Sequence, residues 1–299
     1  MNATEDNKNF IFKGKVFSKQ KLADLGIISV ALMWGISTVV VKVVVSSMPP
    51  FTFIFVRFIL AGLFLALIYR SHFQNVQKKD IIIGLSTGIF LFGTYGFQII
   101  GLKYTTVSNA TFIGALSVVL IPLCGSLIAR QIPSIYTLIS VGICTIGLYF
   151  LAGMKLNAIN LGDLLNLVSA FSFTTYILVI SKFAHDIDNI VVTVFQFASV
   201  VGMGAIGMLS FEQINISLIL GNWLGIIYTA IFATALVIPL QLICQKYTSP
   251  TRVGIYMLLE PVSATLIAVV AISEILTVSG IIGCCLIITG LLLAQIKEI

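Results

Sequence analysis

Charge is what this sequence has least of. Asp, Glu, Lys and Arg together make up 9% of its 299 residues, against about a quarter in a soluble domain. Hydrophobic residues make up 59%, and the mean hydropathy is +1.10. Such a chain cannot cover a water-facing surface, which excludes a soluble globular protein and identifies an all-α polytopic membrane protein. Histidine is nearly as scarce. His72 and His185 both lie in polar loops, and all five cysteines (Cys124, Cys144, Cys244, Cys284 and Cys285) lie inside apolar runs. None has metal-ligand spacing with a histidine, so they read as small buried hydrophobes and no metal or cofactor is expected. HExxH and P-loop patterns are missing as well. For a membrane-embedded lipid enzyme, the candidate acid–base cluster is "HDID" at His185–Asp188, which reads as a solvated loop.

The few charges present are placed unevenly. Lys8, Lys13, Lys15, Lys19 and Lys21 fall in a polar leader, residues 1–21. That leader is too polar, and the following run too long, for a cleaved signal peptide. The lysines read as the cytoplasmic flank of a first span, not as a nucleic-acid surface.

About 20 apolar residues cross a bilayer core. Polar and Pro/Gly breaks divide the chain into ten such runs: 23–44, 50–69, 81–101, 106–129, 134–152, 162–181, 190–210, 221–244, 251–272 and 277–296. Runs this long satisfy their backbone in lipid as helices. With the N-terminus inside, thirteen basic residues face the cytoplasm and two, Lys103 and Lys155, face out, while Lys42 and Arg57 fall within spans. Both termini are therefore expected to be cytoplasmic.

The sequence also repeats. "QIIGLKYTTVSNA" from Gln98 and "QLICQKYTSPTRV" from Gln241 align at an offset of 143, which also places Gln131 on Glu274. An offset of 139 sets "LADL" at Leu22 on "LGDL" at Leu161, and Arg57 on Gln196. The shared Gln, Lys-Tyr-Thr and Asp carry the signal, because apolar matches recur by chance in such a composition. Each copy holds five spans, residues 22–152 and 162–299, joined by a loop at 153–161. An odd number turns the second copy upside down. The expected architecture is ten transmembrane helices in two inverted five-helix repeats, as in secondary transporters with a midplane site between halves.

"ALMWGISTVVVK" in the first span, "FVRFILAG" in the second and "KYTSPTRVGIYMLLEPVSATLIAVVAISEILTVSGIIGCCLIITG" across the last two resemble EamA-type members of the drug/metabolite transporter superfamily. The resemblance runs from about residue 22 to 296. It implies the same ten-helix duplicated fold, alternating access, and movement of amino acids, other small metabolites or drugs across a bacterial plasma (inner) membrane. It leaves the solute, its direction and the oligomeric state open. In "ARQIP", Gln131 stands where the family commonly has an acidic residue.

Polar groups inside spans are costly, so each needs a partner or a cavity. Trp34, Thr38 and Lys42 follow i, i+4, i+8 spacing on one face of the first span. Lys42 reads either as a side chain reaching the interface or, with Arg57, as a cationic site for a carboxylate or phosphate. Arg57 lies seven residues past Pro50 and Glu260 ten past Pro250. At 1.5 Å per residue their depths differ by only a few ångströms, so a direct ion pair is geometrically allowed. Thr94, Tyr95 and Gln98 share a face, as do Ser172 and Tyr176. Gln241 repeats Gln98 beside Pro239, which must kink or break its helix, and Gln196 stands in place of Arg57. Each reads singly as interhelical glue, and together they outline a pathway. Arg252, Tyr256 and Glu260 again run at i, i+4, i+8. The glycines of "GLSTG" and "GMGAIG" read as packing positions.

Glu260 with Pro261 carries two readings. A carboxyl in oil is neutral when dry and ionised when open to water, which suits a proton carrier. Alternatively, Pro261 leaves the Met257 carbonyl without its donor, and Glu260 or Ser263 helps satisfy the kink. The functional expectation is a secondary transporter of small polar or amphipathic solutes, with proton coupling through Glu260. An uncoupled facilitator or channel is the alternative, and a lipid enzyme lies further off. The expected partners are a small-molecule substrate and the lipid bilayer.

Overall fold

A computed structural model of the chain describes residues 10–12, 15–101, 104, 110, 113–130, 133–152, 160–272 and 277–296. The expectations placed on Lys8, Lys13, Lys103, Thr105, Gln131, Lys155, Glu274 and Lys297 lie outside them. A short antiparallel ladder pairs Phe10–Phe12 with Lys15–Phe17, inside the stretch read as a polar leader. The remainder is helical: α1 Lys19–Ser47, α2 Pro50–Ile68, α3 Lys78–Gly101, α4 Ser117–Ala129, α5 Ile135–Ala152, α6 Leu161–Phe183, α7 Asn189–Phe211, α8 Ile216–Gly221, α9 Trp223–Ala230, α10 Val237–Gln245, α11 Pro250–Met257, α12 Leu259–Ile272 and α13 Val278–Ile296.

Among the described residues, six helical stretches are long and apolar enough to cross a membrane: α1, α2, α3, α6, α7 and the α9–α10 unit Trp223–Gln245. The residues after Ile113, α5 and α13 supply shorter apolar helices. Two expected runs are interrupted. Pro239 lacks an N–H, and just before it the helix widens into a π-turn at Ile231–Ala235, with Leu236 N–H reaching back five residues to Ile231 O at 3.0 Å. Leu258 separates α11 from α12. That break puts Pro261 in the first turn of a new helix, where a missing N–H costs little. Ser263 Oγ donates to Glu260 O at 3.0 Å, not to the Met257 carbonyl considered for it.

Helix starts follow local chemistry. Ser18 accepts from Lys21 N–H, Asn160 and Asp163 form a capping box, and Ser249 accepts from Arg252 N–H ahead of Pro250. Packing is tightest where glycine removes the side chain. α3 lies on α7 at Gly88, where a Cβ would sit 2.7 Å from Gln196 O. α1 lies on α12 at Gly35, where a Cβ would sit 2.7 Å from Glu260 O and 2.9 Å from Ala264 N.

The connections gather at two ends. At one, Lys246 Nζ donates to Ile187 O at 3.5 Å, Lys19 lies over the Tyr247 ring, and His185 meets the same ring edge-on. This end also carries Asp188, which caps α7 through the amides of Ile190 and Val191 and bonds His72 Nδ1 at 2.7 Å. Its carboxylate is thus committed to a cap. At the opposite end Glu212, at the close of α7, accepts from Phe51 N–H at 2.8 Å and from Thr52 N–H at 2.7 Å, capping the neighbouring α2.

Asp188 gives the first prediction. Burial would push its carboxyl up, but the His72 hydrogen bond and the Val191 and Ile190 amides outweigh it and hold the group below the ordinary carboxylate value. A lowered value means stability that is fully present above the ordinary range and lost as pH falls through the lowered one. Asp188→Ala is expected to cost about 1 kcal/mol. It should also flatten the acid limb of a thermal-unfolding profile in detergent, and an unchanged limb would refute the cap's role.

Candidate functional site

α1, α2, α3, residues 114–117, α6 and the α11–α12 break line a cavity of about 430 Å³. Its wall includes Trp34, Thr38, Lys42, Arg57, Tyr95, Gln98, Glu260 and Pro261, eight of the residues singled out from the sequence. Lys42 is exposed and Ser46, one turn further, also borders the space, so the cavity runs toward the end capped by Glu212. The i, i+4, i+8 spacing of Trp34, Thr38 and Lys42 thus sets three side chains along one wall.

Arg57 is only 3% exposed. Its Nε donates to Thr234 Oγ1 at 2.7 Å, and one terminal nitrogen comes within 3.5 Å of Ala233 O. The guanidinium lies 5.0 Å from the Tyr95 ring centroid and 5.7 Å from those of Phe53 and Phe58. A cation in a low-dielectric site gains from such ring faces, and no ion pair with Glu260 forms. Glu260 instead accepts from Thr38 Oγ1 at 3.3 Å, and Thr38 also donates to Trp34 O at 3.0 Å. The two ionisable groups therefore face one space from different helices, each held by neutral partners.

The π-turn explains why Arg57 points as it does. Within it, Thr234 Oγ1 donates to Thr229 O, five residues back, at 2.8 Å. Ala233 O accepts from Trp34 Nε1 at 2.9 Å. One carbonyl and one hydroxyl on α9–α10 therefore orient the indole of α1 and the guanidinium of α2. The Trp34 ring then meets Phe173 edge-on at 6.3 Å, giving an apolar wall opposite the charged one. Neither Thr234 nor Ala233 was singled out from the sequence. The available signal was Pro239, which requires a disturbed ladder within the preceding turn.

Four expected site residues lie elsewhere. Gln196 is fully buried, donates to Thr87 Oγ1 at 3.0 Å and receives Tyr176 Oη at 3.5 Å. Both bind helix to helix. Tyr256 is 2% exposed and off the cavity wall, because the break at Leu258 ends the stripe it was to share with Glu260. Gln241 is buried in α10, and neither its Oε1 nor its Nε2 has a partner among the described residues.

Arg252, on the same expected stripe, serves the other end of the bundle. Its Nη1 donates to Asp24 Oδ2 at 2.9 Å, and Thr248 Oγ1 donates to Asp24 Oδ1 at 2.6 Å. Asp24 is 9% exposed. Its repeat mate Asp163 caps the helix it starts, so duplicated positions have taken different tasks. An acid inside the first apolar run was legible, and its partner was not.

Comparison with known proteins agrees with this architecture. The model of the EamA-like transporter family matches twice, at residues 21–153 and 160–295. An uncharacterized transporter of Archaeoglobus fulgidus is 33% identical over 282 residues, covering 93% of this chain and 87% of the relative. The uncharacterized transporter YxxF of Bacillus subtilis is 25% identical over 252 residues, covering 76% and 80%. A solved crystal structure shares the fold with a TM-score of 0.77 at 19% identity, over 92% of this chain and 96% of that one. Two successive matches spanning nearly the whole sequence leave one assignment: the chain belongs to the EamA-like transporter family.

Proposed function

We propose that the protein is a secondary transporter that moves a small amphipathic, carboxylate-bearing solute by alternating access, coupled to protons through Glu260. One observation carries this reading. Arg57 from the first family match and Glu260 from the second face a single cavity without pairing. An unpaired guanidinium and an unpaired carboxyl in a low-dielectric site are costly, and the cost is accounted for if the solute completes them. Its carboxylate meets Arg57 and Lys42, its apolar part lies against Trp34 and Phe173, and Glu260 binds a proton or the solute's amine. A space of about 430 Å³ falls in the size range of small-molecule pockets.

The frame we propose is ten transmembrane helices in two inverted five-helix repeats, with the six long spans joined by four segments: residues 113–129, α5, α11–α12 and α13. An odd count per repeat supports inversion. Lys19, Arg70, Lys78, Lys182, Lys246 and Arg252 cluster with the His72–Asp188 end, which supports placing that end and both termini in the cytoplasm of a plasma membrane. The cavity then opens outward. Relatives named as transporters support transport and leave the solute unnamed.

Purified protein in proteoliposomes, offered a panel of amphipathic amino and carboxylic acids with and without an imposed pH gradient, tests the reading. Uptake of at least one, raised by the gradient, is expected. Uptake indifferent to the gradient leaves an uncoupled facilitator, and folded protein that moves none of the panel overturns the assignment.

A further inference from the structure

The closed half of the bundle holds an unexplained expense. Gln241 and Gln245 are 0% and 3% exposed, and among the described residues none of their four side-chain polar atoms has a partner. They lie one turn apart on α10 and so share a face. An unpaired buried amide has given up its bonds to water for nothing, and interiors normally exclude it. Nothing in the cavity described above uses either side chain. Yet Gln241 stands at the position that Gln98 occupies in the other copy of the repeat, and Gln98 lines the open cavity.

The first part of α1 packs on the neighbouring face of α10. Gly26 allows α1 to lie directly on Leu240 and Cys244 of α10. Two residues earlier, Asp24 takes hydrogen bonds from Thr248 and Arg252. Asp24, Thr248 and Arg252 are all at least nine-tenths buried, so the contact is sealed, and it joins the chain just past Gln245 to the start of α1.

We propose that Gln241 and Gln245 form a second solute-facing site, sealed in this conformation by the Asp24–Thr248–Arg252 latch and opened when α1 leaves α10. This rests on the alternating-access reading. The site is neutral, with amide donors and acceptors and no fixed charge, so it takes the hydrogen-bonding groups of the solute without the ionic hold of Arg57. A weaker second site suits release, since binding must favour entry and still permit exit. The unpaired amides would also act on the equilibrium. They penalise the sealed state and find water or solute in the opened one.

Cysteine labelling tests this without depending on transport. With Cys124, Cys144, Cys284 and Cys285 changed to alanine, Cys244 remains as a reporter beside the two glutamines. In a second chain Cys244 is also alanine and Ser46→Cys reports on the open cavity. A membrane-impermeant maleimide is applied to right-side-out and inside-out vesicles. Asp24→Asn is expected to raise Cys244 labelling from the Arg252 side about tenfold and to lower Ser46→Cys labelling from the other. A rise at Cys244 alone shows local loosening and overturns the proposal, as does no change at either. Reciprocal labelling in a protein whose parent chain moves none of the offered solutes would instead strike the solute reading and leave the latch standing.

A thermal measurement on the otherwise native chain adds an independent arm. Gln241→Met with Gln245→Met removes unpaired amides while keeping shape, a change that is neutral or stabilising when no bond was made. The expected result is an unfolding midpoint higher by a few degrees, about 2–4 °C per kcal/mol for a chain of this order of size, with slower Cys244 labelling. A lower midpoint would mean that the glutamines are structural, and the proposal would fall.

Discussion

Gradient-driven accumulation is expected to collapse when Glu260 is replaced by glutamine, while solute exchange without a gradient persists. One pH unit is worth about 1.4 kcal/mol per proton, so a transporter carrying one proton per neutral solute can concentrate it about tenfold. Glu260→Gln keeps the shape of the side chain and an oxygen for Thr38, which bonds it at 3.3 Å. What it removes is the ability to gain and lose a proton. Accumulation should therefore fall from about tenfold to unity across a one-unit gradient, with counterflow retained. The other titratable or charged groups on this cavity are Arg57, Lys42 and Tyr95, none of which is a carboxylate able to take over. Undiminished accumulation by the variant would show that Glu260 serves the helix break at Leu258 and that coupling lies elsewhere.

Arg57 is expected to be the least replaceable residue for binding. Its methionine variant should weaken apparent solute affinity on the order of 10- to 100-fold, corresponding to the ~1.5–3 kcal/mol typical of a hydrogen bond to a charged group. Lysine should restore little of it. The guanidinium is held edge-on by Thr234 and face-on by Tyr95, Phe53 and Phe58, and a compact ammonium fits neither the fork nor the stack. The same variants should bind decarboxylated analogues nearly as well as the parent does. Equal losses for acids and their decarboxylated analogues would instead point to a collapsed site, because Thr234 and Ala233 O are then left without their cation.

The sequence carried the membrane class, the duplication and the charged groups on the cavity wall, for a common reason. In oil a polar side chain is conspicuous, and helical spacing tells which of them share a face. Trp34, Thr38 and Lys42 could be grouped by that rule alone. The rule stops at the edge of each helix. Depth allowed Arg57 and Glu260 to meet, but the guanidinium is instead turned by a π-turn on a third helix, and no single-helix pattern reports such a contact. Tyr256 was lost for a related reason, since its stripe assumed an unbroken helix through Leu258. Gln196 and Gln241 were legible as polar. Whether a polar residue meets a neighbouring helix, a cavity or nothing depends on the bundle as a whole.

The carbonyl of Ala233 gives the site an unusual dependence. Trp34 and Arg57 both take their direction from it, and a main-chain oxygen has no side chain to vary. Its heading is set by how many residues wind between Thr229 and Pro239. Each residue turns a regular helix by about 100°, so shortening that stretch by one would swing the carbonyl away from both side chains while leaving every functional residue in place. The site is thus written partly in a count of residues, and two relatives with identical side chains but a different count there would not share it.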